Sequence, residues 1–233
     1  LRKTIVACDH KVSIAYHTYS PMPLVDLVDS LNNKFSEKFP VSKVDEEYPT
    51  QLERDQQPIT PTDITKAIND LFHKNGSMPI TADMGDSYFT SLDIDNTDLI
   101  APGNYATMGF GVPAGMGIQA ASGRRPITIV GDGAFQMTGW ELLNCKRHNL
   151  NPIVIVQNNS SWEMLRTFQP ESKFNDLDHL NYSDIANTLG GRGYRVHTRK
   201  ELHEALDSAI SDESSFQLVE VILERGKLSN TLS

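Results

Sequence analysis

Two short runs constrain this chain more than any other feature: Ile127-Thr128-Ile129-Val130 and Ile153-Val154-Ile155-Val156. Both are β-branched and bounded by turn residues, so both read as strands buried on two faces, the environment of a parallel sheet. Parallel strands need a long crossover, and Thr138 to His148 is long enough for a crossover helix. The unit therefore reads β-α-β. The first run ends in Gly131-Asp132-Gly133 and the second in Asn158-Asn159. In an open α/β sheet, ligands bind outside the carboxyl ends of the strands. Asp132 and Asn159 each offer a hard oxygen there, a donor type that suits Mg²⁺ together with phosphate oxygens. Gly131 and Gly133 let the backbone approach a ligand closely. The amides that open the next helix can receive an anion. The stretch reads as a site for a magnesium diphosphate.

Upstream, Thr4-Ile5-Val6-Ala7-Cys8 reads as a strand, and Val12, Ile14 and Tyr16 alternate with polar residues as in a half-exposed one. Leu24, Leu27, Val28 and Leu31 follow at helical spacing after Pro23. Residues 1–35 thus give β-β-α, too little to enclose a core, and read as the end of a second α/β domain. The chain enters its first strand almost at once after Leu1, as a piece of something longer does. Residues 36–59, with Pro40, Pro49, Pro58 and the acidic run Asp45-Glu46-Glu47, read as a linker.

Residues 60–226 read as a doubly wound parallel α/β domain, with 227–233 as a tail. Thr60-Pro61-Thr62-Asp63 opens a helix with a cap, a proline at the first position and an acid at the positive end. Ile64, Ala67, Ile68, Leu71 and Phe72 make its buried stripe, and Gly76 ends it. Pro79 to Ala82 is a strand running into Asp83-Met84-Gly85-Asp86-Ser87, a second strand end with glycine and polar oxygens. The small residues from Ala101 to Gly123 read as a tight turn leading into a close-packed helix. They are a poor dinucleotide loop, since no strand precedes them and Pro113 interrupts. Downstream come a loop with a short helix over 160–178, and a helix over Tyr182–Leu189 capped near Ser183 and stopped by Gly190-Gly191. A short strand at Tyr194-Arg195-Val196, a helix opened by the capping box Thr198-Arg199-Lys200-Glu201, and a last strand from Phe216 to Leu223 complete the pattern. Strands and helices alternating in this way imply a parallel sheet covered on both faces.

The net charge of −9 argues against a general nucleic-acid binder. No 18-residue apolar run offers a membrane span, and no signal peptide is visible. Cys8 and Cys145 are far apart and form no metal spacing, which suggests two buried thiols in a reducing, cytoplasmic setting. The seven histidines form no ligand spacing either.

Gly-Asp-Gly, then 24 residues, then Asn-Asn resembles the signature of thiamine-diphosphate enzymes. The match extends through Gly131 to Glu141 and through Asn158 to Ser172. There the chain closely resembles the phenylpyruvate/indole-3-pyruvate decarboxylases. The resemblance covers nearly the whole chain, including Leu1 to Ile5 and Tyr16 to Tyr19. It implies thiamine diphosphate and Mg²⁺ as cofactors. It implies Asp132, the side chain of Asn159 and the carbonyl of Ser161 as metal ligands. Gly131, Gly133, Ala134 and the turn Gly85-Asp86-Ser87 would cradle the diphosphate. Backbone groups of Ala106 and Met108 would meet the aminopyrimidine, with the Met108 side chain beneath the bend between the cofactor rings. Leu165 and Met108 are the two residues this resemblance places against the reacting centre.

Two departures matter. Pyruvate decarboxylases carry a glutamate six residues after the second Asn, where this chain has Leu165. With Met164 and Phe168, Leu165 would make an apolar wall suited to an aryl side chain. The family's N-terminal pyrimidine-binding domain, which supplies the acid that activates the cofactor, has no counterpart in these 233 residues. The resemblance therefore implies a partner domain from another subunit, a homodimer or homotetramer in the complete enzyme, and no turnover by this stretch alone. A carboligase of the acetolactate-synthase kind and a non-catalytic cofactor- or partner-binding module are the alternatives. Asn158 reads as structural, and Glu163 as either a solvated charge or a site group.

Overall fold

A computed structural model describes residues 4–34, 48–95 and 98–232. The acidic run at 45–47 and the first half of the expected linker lie outside the described residues. The chain divides between Glu46 and Glu47 into two compact units.

The first unit is a three-stranded antiparallel meander, β1 (Ile5–Cys8), β2 (Lys11–Ile14) and β3 (His17–Tyr19), followed by α1 (Leu24–Lys34). It has one strand more than the expected β-β-α, because the chain turns at Ala15-Tyr16, where Ala15 takes a left-handed φ of 54°. Val12 is buried, whereas no residue of α1 is, and Cys8 is exposed rather than buried as expected.

The second unit is built on a six-stranded sheet in the order β5-β4-β6-β7-β9-β8, with every pairing parallel. The strands are β4 (Ile80–Ala82), β5 (Leu99–Ile100), β6 (Ile127–Gly131), β7 (Ile153–Asn158), β8 (Arg192–Val196) and β9 (Gln217–Ile222). Alternation along each strand divides its side chains between two layers. Ile127, Ile129, Ile153, Ile155, Val219 and Val221 pack with Ile64, Ile68, Leu71 and Phe72 of α2 (Pro61–Asn75) and with Leu202 and Leu206 of α9 (Arg199–Ser211). Val130, Val154, Val156 and Leu218 pack on the other face against Val112, Phe135, Leu142 and Tyr182. Each fully buried isoleucine in these layers contributes about 1.5–3 kcal/mol relative to exposure.

The local signals hold where they rest on adjacent residues. Thr60 and Asp63 form the capping box of α2, and Thr198 and Glu201 that of α9. Residues 48–59 pack on this second unit. Leu52 and Ile59 are buried, the amides of Gln51 and Leu52 donate to the Asp70 carboxylate at 2.8 Å, and Pro58 bridges to Thr198.

Four elements of this unit differ from expectation, the first being the helix Asp86–Leu92, where only a strand end was expected. β5 was unforeseen, since two residues are too few to show alternation. The crossover after β6 is three pieces rather than one helix: α5 (Asp132–Thr138), a 3-10 turn (Gly139–Asn144) and α6 (Cys145–His148). The break falls where Gly139 lies against the Phe135 ring and the Thr138 hydroxyl donates to the Gly109 carbonyl at 2.8 Å. The helix α8 (Tyr182–Thr188) is capped by Asn181, whose side chain accepts the Asp184 amide; Ser183 lies inside and bonds that cap.

The small-residue stretch does produce a close-packed helix, α4 (Gly111–Ser122). A Cβ at Gly115 would lie 2.3 Å from the Thr128 hydroxyl, which is bonded to the Thr81 hydroxyl at 2.7 Å. Gly117, on the same helix, faces open space. Gly115→Ala is therefore expected to lower unfolding stability by about 2 kcal/mol through overpacking. Gly117→Ala is expected to raise it by up to about 1 kcal/mol through helix propensity. Denaturant unfolding of both variants measures the contrast.

Candidate active site

The chain leaves β4 for β5 in one direction and then returns to place β6 on the other side of β4. Strand order reverses there, and such a switch point opens a crevice at the carboxyl ends of the flanking strands. A cavity occupies that position. After β4 it is lined by Met84, Gly85, Asp86 and Ser87, and after β6 by Gly131, Asp132, Gly133 and Ala134. The loop after β5 adds Ala106 and Met108, and the end of β7 and the loop beyond it add Gln157, Asn159 and Ser161 to Leu165. Two helices begin at this cavity, α3 (Asp86–Leu92) and α5, and the first amides of a helix lack intrahelical acceptors.

Asp132 is 2% exposed. Its Oδ1 accepts the Gly133 amide at 2.8 Å, while Oδ2 has no hydrogen-bond partner among the described residues. Burial pushes this carboxyl up to about 6, against the opposing pull of the Gly133, Ser160, Ser161 and Asn159 amides. A buried, half-satisfied carboxylate is costly unless a cation completes it. Asn159 and Ser161 face the same cavity. Among the described residues no group of three or more His, Cys, Asp or Glu could hold a metal. An ion at Asp132 would draw on that carboxylate plus amide, carbonyl and ligand oxygens. That donor set suits Mg²⁺ bound with a phosphate, which requires only one or two carboxylates.

Other residues shape the walls. Asp83, fully buried, accepts the Met84 and Gly109 amides on Oδ1 (2.8 and 2.9 Å) and the Gly111 amide on Oδ2 (2.6 Å). It thereby fastens the loop of Ala106 and Met108 to the end of β4, although burial raises its own carboxyl. Ala106 holds a left-handed φ of 62°, and its amide is taken by the Pro102 carbonyl at 2.8 Å. Its carbonyl is the backbone group left for a ligand. Gly133 is needed for a reason beyond ligand approach: a Cβ there would meet the Trp162 ring at 2.4 Å. Glu163 is buried, not solvated; its Oε1 accepts the Gly226 amide at 2.9 Å and its Oε2 lies 3.7 Å from the Arg166 guanidinium. Ser229 donates its amide (3.1 Å to each oxygen) and its hydroxyl to the Asp86 carboxylate.

Residues 83–221, more than half of the chain, match the thiamine pyrophosphate enzyme C-terminal TPP binding domain. The chain belongs to the thiamine pyrophosphate enzymes. Over its whole length it is 54% identical to the indole-3-pyruvate decarboxylase of Azospirillum brasilense, of which it covers 44%. Over 66% of its length it is 30% identical to the alpha-keto-acid decarboxylase of Mycobacterium avium, covering 29% of that protein. The chain thus spans less than half the length of these relatives. The diphosphate cofactor of this family's C-terminal domain is thiamine diphosphate, in agreement with the cavity between two helix starts.

Of the residues singled out from the sequence, Gly85, Asp86, Ser87, Ala106, Met108, Gly131, Asp132, Gly133, Ala134, Asn159, Ser161, Met164 and Leu165 all line the one cavity. Phe168 does not. It is 72% exposed at the last residue of α7 (Glu163–Phe168), nearly a turn beyond Leu165. Sequence reading missed Asp83, Trp162 and Ser229 as parts of the site. Trp162 had a signal in its place beside the Asn pair; Ser229 had none.

The state of Asp132 carries a consequence for stability. Its folded carboxyl titrates near 6, above the ordinary value of 3.8. Its contribution is therefore most favourable below 3.8 and is lost as pH rises through 6, leaving the full penalty at neutral pH. Asp132→Asn is expected to raise the stability of the protein without cofactor and Mg²⁺ by about 1–3 kcal/mol at pH 7.5, and to abolish Mg²⁺-dependent cofactor binding. Chemical denaturation at pH 7.5 and pH 4 measures the first effect; calorimetric titration measures the second.

Proposed function

We propose that this chain supplies the diphosphate-binding half of the site of a decarboxylase that converts an aryl 2-oxo acid to its aldehyde and CO₂. Phenylpyruvate and indole-3-pyruvate are the substrates of the proposal. The observation that carries it is Asp132 Oδ2, a buried carboxylate oxygen without a partner at the switch point of the sheet. The extended identity to a relative named for indole-3-pyruvate supports the substrate class.

In this reading Asp132, the Asn159 side chain and the Ser161 carbonyl hold Mg²⁺. Gly85, Asp86, Ser87, Gly131, Gly133 and Ala134 surround the diphosphate. Met108 props the bend of the cofactor from the β5 side of the cavity. Thiamine diphosphate supplies, when bound, the nucleophilic carbon and the electron sink that loss of CO₂ requires. The chain's own residues orient the bound groups and keep water from them. Met164 and Leu165 present apolar surface at the mouth, where Leu165 remains half exposed and free to contact an aryl ring. Glu163, the nearest acid in sequence, is held by the Gly226 amide and set beside Arg166, so position 165 stays without a carboxylate.

The remaining half of the site comes from a pyrimidine-binding domain of another subunit, in a homodimer or homotetramer. The large apolar side chains exposed at Tyr105, Met137, Trp140 and Leu143 support a contact with further protein. The proposed setting is the cytoplasm; among the described residues no helix is long and apolar enough to cross a membrane.

Aldehyde formation from phenylpyruvate, indole-3-pyruvate and pyruvate by the complete enzyme tests the proposal. The arylpyruvates are expected to be preferred. Leu165→Glu is expected to cut kcat/KM for them at least about tenfold relative to pyruvate, a loss of about 1.4 kcal/mol in transition-state binding. Unchanged preference in that variant removes Leu165 from the pocket, and absence of aldehyde with all three acids removes the function.

A further inference from the structure

Glu220 stands in the middle of β9, opposite Val156 of β7 and Arg195 of β8. It is fully buried. A carboxylate at the centre of a sheet is expensive unless both oxygens are satisfied. Here both are. Oε1 accepts the Asn158 side-chain amide at 2.7 Å, and Oε2 accepts the Ser183 backbone amide at 3.0 Å in the first turn of α8. The Arg195 guanidinium lies 3.8 Å away.

The consequence runs outward through Asn158. A carboxylate only accepts, so Asn158 must turn its NH₂ toward Glu220 and its oxygen away. That oxygen accepts the Ser160 amide at 3.2 Å, and the Ser160 hydroxyl lies 3.3 Å from it and 2.7 Å from His179 Nδ1. Ser160 is held at a φ of 52°, a left-handed conformation that non-glycine residues adopt only when their surroundings impose it. The residues on either side of Ser160 are Asn159 and Ser161. Both line the cavity with Asp132, and the amides of 159–161 lie near enough to pull down the Asp132 carboxyl against its burial.

We infer that Glu220 is the positioning residue of the metal–diphosphate site: it fixes the orientation of the Asn158 amide and thereby the turn that presents Asn159 and Ser161. The inference rests on the proposed Mg²⁺ ligand set. Glu220 touches neither the cavity nor the metal ligands, and its hold on them passes through one side-chain amide.

Donor and acceptor counting supplies the test. Glu220→Gln leaves one acceptor facing two donors, so either the Ser183 amide loses its partner or Asn158 turns its NH₂ onto the Ser160 amide. The double variant Glu220→Gln with Asn158→Asp restores every bond and the net charge. The new glutamine donates to the new aspartate and accepts from Ser183, and the aspartate accepts from Ser160. Val219→Ala, on the same strand within the opposite layer, serves as a purely structural comparison.

The measurement is the Mg²⁺ concentration that half-saturates thiamine-diphosphate binding in the complete protein, read by tryptophan fluorescence, since Trp162 lines the cavity. Unfolding midpoints without ligand are recorded beside it. Glu220→Gln is expected to raise that concentration at least about tenfold, the double variant to return within about threefold of the parent, and Val219→Ala to lower only the midpoint. If Glu220→Gln behaves as Val219→Ala does, the inference is overturned. Hydrogen exchange at the amides of 158–161 without ligand separates it from the reading of the site. Faster exchange in Glu220→Gln that slows again in the double variant supports the positioning role even if the parent shows no Mg²⁺ response, which would sink the ligand assignment alone. Unchanged exchange overturns the positioning role.

Discussion

The cavity of the second unit is organised around a carboxylate whose burial the fold does not compensate by itself. Asp132 is packed where β6 passes into α5, one oxygen held by the Gly133 amide and the other left over. Its neighbours are arranged to keep it there. Trp162 closes over Gly133, Tyr182 donates its hydroxyl to the Asp132 carbonyl at 3.3 Å, and Phe135 packs edge-on against the Tyr182 ring. Such an arrangement costs stability, as functional sites commonly do, and under the proposed function a cation offsets that cost.

Around this carboxylate the loops are held by other acids, three of them buried and Asp86 partly so. Asp83 binds the loop after β5, Glu220 reaches the loop after β7 through Asn158, and Asp86 and Glu163 take donors from the C-terminal segment at Ser229 and Gly226. Each of these acids accepts backbone or side-chain N–H or O–H groups, and charge-assisted bonds of this kind are stronger than neutral ones. The loops that form the walls of the cavity are therefore tied by charge-assisted bonds close to the residues that line it. The half-exposed Leu165, on the short helix α7, stands at the rim of the cavity, where the proposed function puts the substrate side chain.

Much of the site was legible because its parts are local. The strand runs at 127–130 and 153–156 announce themselves by β-branching, and the residues that follow them inherit their places from the ends of those strands. The capping boxes at Thr60 and Thr198 need only three residues to be seen. The broken crossover was not legible, because Gly139 meets the Phe135 ring only once the chain has turned there. Phe168 shows the limit of spacing: it shares the helical stripe of Met164 and Leu165, yet its position farther along α7 carries it out of the cavity.

By itself the sequence determined the parallel α/β class, the diphosphate-binding family of the Gly131–Asn159 unit and most of the residues that line its cavity. These follow from periodicity, residue chemistry and chain neighbours, which are short-range. Only the tertiary structure decided the sheet order that creates the switch point. Only it brought Ser229 to Asp86 across 143 positions and placed Glu220 beneath Asn158 across 62. Those contacts exist because strands distant in sequence pair side by side, and no local pattern encodes which groups will meet at their ends.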